Sequence, residues 1–199
     1  MIRFQTTNSL STTIKFHNGR HRVGVEGNIA LARIGFGSGT PHSKRAVDEV
    51  NAVKSGSDVS LFSRRRKSLN RQFPSIVEPL ADLPDGTVVD GELVAIDDDG
   101  RPDFHLLQNF RAEATRIHYY IFDLLCCKDR DLTRLPLIER RVLLKSLVMI
   151  HDKRIRISDY IEAGAPELLA AVREQHLEGI IGKRKDSPHP ARKTKWRVD

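Results

Sequence analysis

Three short stretches of the chain place acids, a ring and a lysine where side chains could do chemistry. The last is Glu178-Gly179-Ile180-Ile181-Gly182-Lys183. Ile180 and Ile181 favour a pleated, half-buried strand, and the glycines on either side let backbone or ligand approach closely. Residues five apart on a regular strand point to opposite faces. Glu178 and Lys183 therefore serve one pocket only if one of them stands beyond the regular strand, which either glycine allows. An acid for a metal and a cation for a phosphate is the chemistry such a pair could do. The plain alternative is a core strand with charged ends.

The other two stretches read as longer strands. Val88 to Ile96 puts Val88, Asp90, Glu92, Val94 and Ile96 on one face. Two carboxylates among β-branched neighbours need a cation, a metal or hydrogen-bond donors if buried; otherwise that face is half solvated. Ile117 to Leu125 puts His118, Tyr120, Phe122 and Leu124 on one face and Tyr119, Ile121, Asp123 and Leu125 on the other. Phe122 is a core ring or a surface on which a base could stack.

Around these stretches, Val59, Leu61 and Phe62 predict a strand ending at Ser63-Arg64, after a turn at Lys54-Ser55-Gly56-Ser57. Leu69, Phe73, Ile76, Val77 and Leu80 predict a helix over 68–82 despite Pro74. Leu83-Pro84-Asp85-Gly86 is a turn, and Asp97-Asp98-Asp99-Gly100 an acidic hairpin turn. Phe104, Leu106, Leu107 and Phe110 mark a short amphipathic segment. Pro136 to Ile150 predicts a helix with an apolar stripe of Leu137, Ile138, Val142, Leu144, Leu147 and Val148. Ile155 and Ile157 flank Arg156 in a short strand, and Pro166 to His176 predicts a second helix. Residues 1–43 stay unassigned, with Val23-Gly24-Val25 a candidate strand. Strands and helices do not alternate regularly, which predicts an α+β domain of mixed, largely antiparallel sheets with packed helices.

Composition bounds the partners. A net charge of +7 and a pI of about 9.6 favour polyanions. The charge gathers in Arg64-Arg65-Arg66-Lys67 and again from Lys183 to Arg197. No apolar run approaches the ~20 residues of a membrane helix, and the N-terminus lacks a secretory pattern. The only cysteines, Cys126 and Cys127, are adjacent, with neither metal nor disulfide spacing, which fits the cytoplasm.

In order and spacing, Val89-Asp90-Gly91-Glu92-Leu93-Val94, Tyr120-Ile121-Phe122-Asp123-Leu124-Leu125 and Glu178 to Lys183 resemble motifs of the ATP-dependent DNA ligases. The likeness is to the adenylation domain of the bacterial end-joining type. Ser63-Arg64, Phe104 to Asn109 and Leu132 to Arg141 extend it over roughly residues 52–198. The resemblance implies a nucleotidyltransferase (ATP-grasp-like) fold over 44–199, incomplete at both ends and without a C-terminal OB barrel. It implies ATP, with Mg²⁺ or Mn²⁺, and DNA with nicks or broken ends, joined in repair and recombination. A lysine takes AMP from ATP, passes it to a DNA 5′-phosphate, and a 3′-hydroxyl displaces it. By position, Glu92 would contact ribose or metal, Phe122 would stack on adenine, and Glu178 would bind the metal. Lys183 and Lys195 would hold phosphate, and Arg64 would lie near the nucleotide.

The family's nucleophile motif, Lys-x-Asp-Gly followed two residues later by Arg, is not intact. An ungapped register puts Lys44 at the nucleophile, with Ala46, Val47 and Glu49 at the Asp, Gly and Arg positions. Two alternatives follow: a degenerate or truncated relative that binds nucleotide without catalysis, or a basic nucleic-acid-binding module.

Overall fold

The structure is a computed structural model that describes residues 4–5, 11–15, 31–34, 49–98, 106–107, 116–159 and 179–189. Among these residues it holds two sheets. The larger contains β4 (Glu49–Ser55), β5 (Asp58–Ser63), β6 (Thr87–Ala95), β7 (Ile117–Cys127) and β8 (Arg130–Asp131) in the order β5-β4-β6-β7-β8. A further strand, β9 (Ile155–Ile157), pairs with β7 in parallel, whereas the other pairings are antiparallel. The smaller sheet orders β1 (Phe4–Gln5), β2 (Ser11–Lys15), β10 (Gly179–Lys183) and β3 (Leu31–Ile34) as β1-β2-β10-β3. The first 43 residues, unassigned from sequence, thus supply both neighbours of β10.

The α+β expectation holds, and the strands read from sequence at β5, β6, β7, β9 and β10 are present. The turn before β5 is shorter than expected. Lys54 and Ser55 belong to β4, and only Gly56 and Ser57 turn, with Gly56 at φ 55°. The candidate strand Val23–Val25, the segment ends Phe104 and Phe110, and the helix over 166–176 lie outside the described residues.

The helix expected over 68–82 is a correction. Only Pro74–Val77 is α-helical (α1), and Pro79–Asp82 is a 3₁₀ turn. Pro79 has no N–H to continue the helical ladder. Upstream, the chain is held to β5 instead. Asn70 accepts from Leu61 N at 2.7 Å and donates to Val59 O at 2.7 Å, while Leu69 N donates to Leu61 O. The apolar spacing still reports burial correctly, since Leu69, Phe73, Ile76 and Leu80 all enter the core.

Helix α2 (Leu137–Leu147) lies within its predicted span, ending three residues before Ile150, and departs from its predicted face at one position. Leu137, Leu144 and Val148 are buried, yet Val142 is 61% exposed. Arg140 and Arg141 turn inward in its place. No helix among the described residues is long and apolar enough to cross a membrane.

Candidate nucleotide site

The central β6–β7 pair sets the geometry. Along β6, Val89, Leu93 and Ala95 line the main core, so Val88, Asp90, Glu92 and Val94 occupy the opposite face, as the alternation predicts. Gly91 falls on the core side, and there the glycine is required. A Cβ at Gly91 would stand 2.6 Å from the Tyr119 ring and from Tyr120 O. The ring uses that space to carry its hydroxyl to Val50 O, to which it donates at 2.6 Å. Burial holds the Tyr119 phenol well above its ordinary pKa, so it remains a donor. Asp90 accepts from Asn51 Nδ2 at 3.1 Å across the β4–β6 ladder, which supplies a donor that the buried carboxylate needs.

On β7 the expected alternation breaks twice. Asp90 pairs with Asp123 and Gly91 with Ile121, so Phe122 is an extra residue in the ladder. Val88 pairs with Cys126 and Val89 with Leu124, so Leu125 is a second. Each bulge inserts one residue and resets the faces. The core side therefore reads Tyr119, Ile121, Leu124, Cys127, and Leu124 lies opposite to the face predicted for it. Phe122 is buried but stands apart from that core cluster.

The other half of the site arrives on β10. Lys183 ends this strand, and its ammonium stands 4.6 Å from the centroid of the Phe122 ring. A cation at that range is attracted by the negative face of the ring. Glu92 is paired across the ladder with Tyr120, and Phe122 follows two residues along β7. The structure thus gathers Phe122, Lys183 and the Glu92 stretch around one sheet face. The face continues through Tyr120 to Arg156, whose guanidinium lies 5.8 Å from the Tyr120 centroid.

Arg64 is placed differently. It sits exposed in the turn after β5, where Arg66 N donates to Ser63 O and Arg66 takes φ 61°. Its strand is three positions from β7 in the sheet order, a separation of roughly 14 Å between strand axes. Lys44, Glu178 and Lys195 lie outside the described residues. Glu49, at the register of the family's arginine, starts β4 directly opposite Glu92.

Among the described residues, no three His, Cys, Asp or Glu side chains converge on a metal position. Mg²⁺ needs only one or two protein carboxylates, because substrate phosphates and waters complete its shell. Glu92, a hard oxygen donor on the β6 face away from the core and paired with Tyr120 of β7, is of the type that such a site uses.

The residues that sequence reasoning missed are Asp123, Arg140 and Arg141. Arg140 Nε and Nη2 donate to the two Asp123 carboxylate oxygens at 2.7 and 2.8 Å, with both side chains at most 2% exposed. Arg141 Nη1 donates to Phe122 O at 2.8 Å, and its Nη2 donates to Ser158 O. Asp123 Oδ1 also accepts from Leu124 N at 2.9 Å. The available signal was an acid inside an apolar strand, followed by an arginine pair inside an apolar helix.

The comparisons identify the family and the fold. A family profile described as "ATP dependent DNA ligase domain" matches residues 45–197. The chain is 34% identical over 138 residues to the "Multifunctional non-homologous end joining protein LigD" of Mycolicibacterium smegmatis, covering 68% of this chain and 18% of that protein. It is 29% identical over 143 residues to the "SPbeta prophage-derived DNA ligase-like protein LigB" of Bacillus subtilis, covering 70% of this chain and 52% of that one. Among solved structures, the ligase domain of M. tuberculosis LigD superposes with a TM-score of 0.63 at 27% identity, covering 79% of this chain and 48% of that chain. A mycobacterial DNA ligase D complexed with ATP and MES gives 0.62 at 26% identity, covering 83% and 54%. The chain therefore spans about half of LigB and of these two ligase structures, and under a fifth of LigD. With the profile matching most of its length and the fold agreeing, the chain belongs to the ATP-dependent DNA ligase domain family, as an adenylation domain of the bacterial end-joining type.

Proposed function

We propose that this domain binds ATP on the β6–β7 face and transfers AMP, through a lysine, to a DNA 5′-phosphate for strand joining in repair. The observation that carries the reading is the Lys183 ammonium 4.6 Å from the Phe122 ring. A ring for a base and a cation for a phosphate come from two different sheets to one place. Adenine stacks on Phe122, the ribose meets Glu92, and Lys183 and Lys195 hold the α-phosphate. Mg²⁺ or Mn²⁺ is held by Glu178 and Glu92 and neutralises phosphate charge when bound. Arg64, exposed in the turn after β5 and three strands from β7, would approach the nucleotide from outside that cluster. A neighbouring structure holds ATP.

Phosphoryl transfer is mostly positioning and charge neutralisation. The lysine at the nucleophile's register, Lys44, must lose its proton, which nearby cations favour. Its nitrogen then bonds to the α-phosphorus as the bond to pyrophosphate breaks. The basic clusters at Arg64–Lys67 and from Lys183 onward suit a DNA backbone.

A second reading keeps the pocket and drops the chemistry. It is favoured by Ala46, Val47 and Glu49 at the Asp, Gly and Arg positions of the nucleophile motif. Incubation with ATP labelled at the α-phosphate and Mg²⁺, followed by denaturation, separates the two. A covalent AMP adduct, lost in Lys44→Ala, is the expected result. ATP binding without an adduct supports the second reading. Neither, with salt-sensitive DNA binding, leaves a basic nucleic-acid-binding module.

A further inference from the structure

The geometry points to Arg140 and Arg141 as positioning residues of the nucleotide pocket, which aim Phe122 and register it against the strand that carries Lys183. The inference rests on the reading that Phe122 holds the base.

A bulge leaves backbone groups without ladder partners. At Phe122 the carbonyl is taken up by α2. Arg141 accepts no role on the surface; its guanidinium reaches both Phe122 O and Ser158 O. Ser158 N in turn donates to Ile121 O, so Arg141 closes a loop around the point where β9 leaves β7. One residue on, Asp123 is clamped by Arg140 and folds back onto Leu124 N. The backbone on both sides of the Phe122 Cα–Cβ bond is thereby held by directional contacts rather than by apolar packing alone.

Arg140 has a second duty. Its Nη1 donates to Leu135 O and, at 3.3 Å, to Ser187 O. Ser187 lies four residues beyond Lys183. The first N–H groups of a helix need acceptors, and α2 has no side-chain cap at Pro136. Leu137 N donates to Ser187 O at 3.0 Å and Ile138 N to Lys185 O at 3.0 Å. The segment leaving β10 therefore serves as the cap of α2. The first turns of one helix grip both the bulge that presents the ring and the tail that anchors the cation.

Apolar residues of similar volume would fill this space without the cost of burying two guanidiniums. They would not supply planar donors directed at particular carbonyls. Arg141→Lys keeps the charge and removes the two-carbonyl fork. The test measures affinity for ATP and for inorganic tripolyphosphate, each with Mg²⁺. The ratio of the two isolates what the base contributes. In R141K the ratio falls about tenfold, near the lower end of what a base–aromatic stack supplies. In Phe122→Leu it falls as far, and R141K adds nothing further to that background. With 4-fluorophenylalanine at position 122, the fluorine resonance shifts or splits in R141K. It does not change in V142A, a substitution at an exposed site of the same helix. If R141K does not fold, Arg140→Lys is read in the same two ways. An unchanged ratio, or an unmoved fluorine signal, in a folded variant overturns the inference alone. A wild-type protein that binds no ATP overturns the proposed function and the inference together.

Discussion

Among the described residues, three arginine–aspartate forks of the same chemistry occupy very different surroundings. At the α2–β7 joint, Arg140 and Asp123 are 2% and 1% exposed. In the turn after Lys183, Arg184 donates to both oxygens of Asp186 at 3.1 and 2.7 Å, and these side chains are 59% and 67% exposed. Ahead of β9, Arg154 and Asp152 make the fork at 2.9 and 2.6 Å and are 30% and 27% exposed. Hydrogen-bond geometry hardly distinguishes them. Solvent does. In the buried fork neither partner can turn to water, so removing one strands the other. In the exposed forks water replaces whichever partner is lost.

The largest effect is expected at the buried fork. Asp123→Ala leaves Arg140 charged and unpaired and should cost ~3–5 kcal/mol, read as a lower urea midpoint with an unchanged slope. A loss no greater than that of an exposed substitution would remove the contrast between joint and surface. Arg140→Met combined with Asp123→Ala sharpens it. With both charges gone the double variant should recover much of the loss, so the two single costs do not add. Recovered stability without recovered ATP affinity would separate holding the fold from aiming Phe122.

The intermediate fork should show in acid. Hydrogen bonds from Arg154 lower the Asp152 carboxyl from 3.8 to about 2. Because its pKa is depressed in the folded state, the stabilisation is present above pH 3.8 and is lost as pH falls through about 2. Solvent screening at this partly exposed site limits it to ~1 kcal/mol. Asp152→Asn should remove that portion of the acid sensitivity between pH 4 and 2, measured as the urea midpoint against pH. The smallest effect belongs to Asp186→Asn. The Arg184 fork holds the Asp186 carboxyl below its ordinary value, yet the pair stands in water, and no change in urea midpoint is expected. A measurable drop would show the Asp186 side chain, and not only the backbone of its turn, to be part of the joint.

The contrast also explains which parts of the molecule were legible beforehand. β6 and α2 could be delimited because a strand repeats every two residues and a helix about every 3.6. The face of α2 was misread at Val142 because the helix buries Arg140 and Arg141, and burial of a charge depends on a partner elsewhere. Those partners lie far along the chain: Asp123 is 17 residues from Arg140, and Ser187 is 47. The segment 68–82 looked helical because apolar spacing reports what is buried, not which hydrogen bonds are made. Asn70 spends its amide on β5 instead.

The candidate site divides in the same way. Residue types and their order suffice to name Glu92, Phe122 and Lys183 as members of one ligase-type set, and strand periodicity suffices to place Glu92 off the core. Alternation also places Phe122 off the core, but which way Leu124 faces was decided by a count across two strands, where β7 carries one residue more than β6 at Phe122. That Lys183 meets its ring was decided by the pairing of β10 with β2 and β3 and by the capping of α2 by the residues beyond Lys183. Periodicity and propensity are local, so they can be read along the chain. Bulges, buried charge pairs and contacts between sheets depend on segments that meet only in the folded protein.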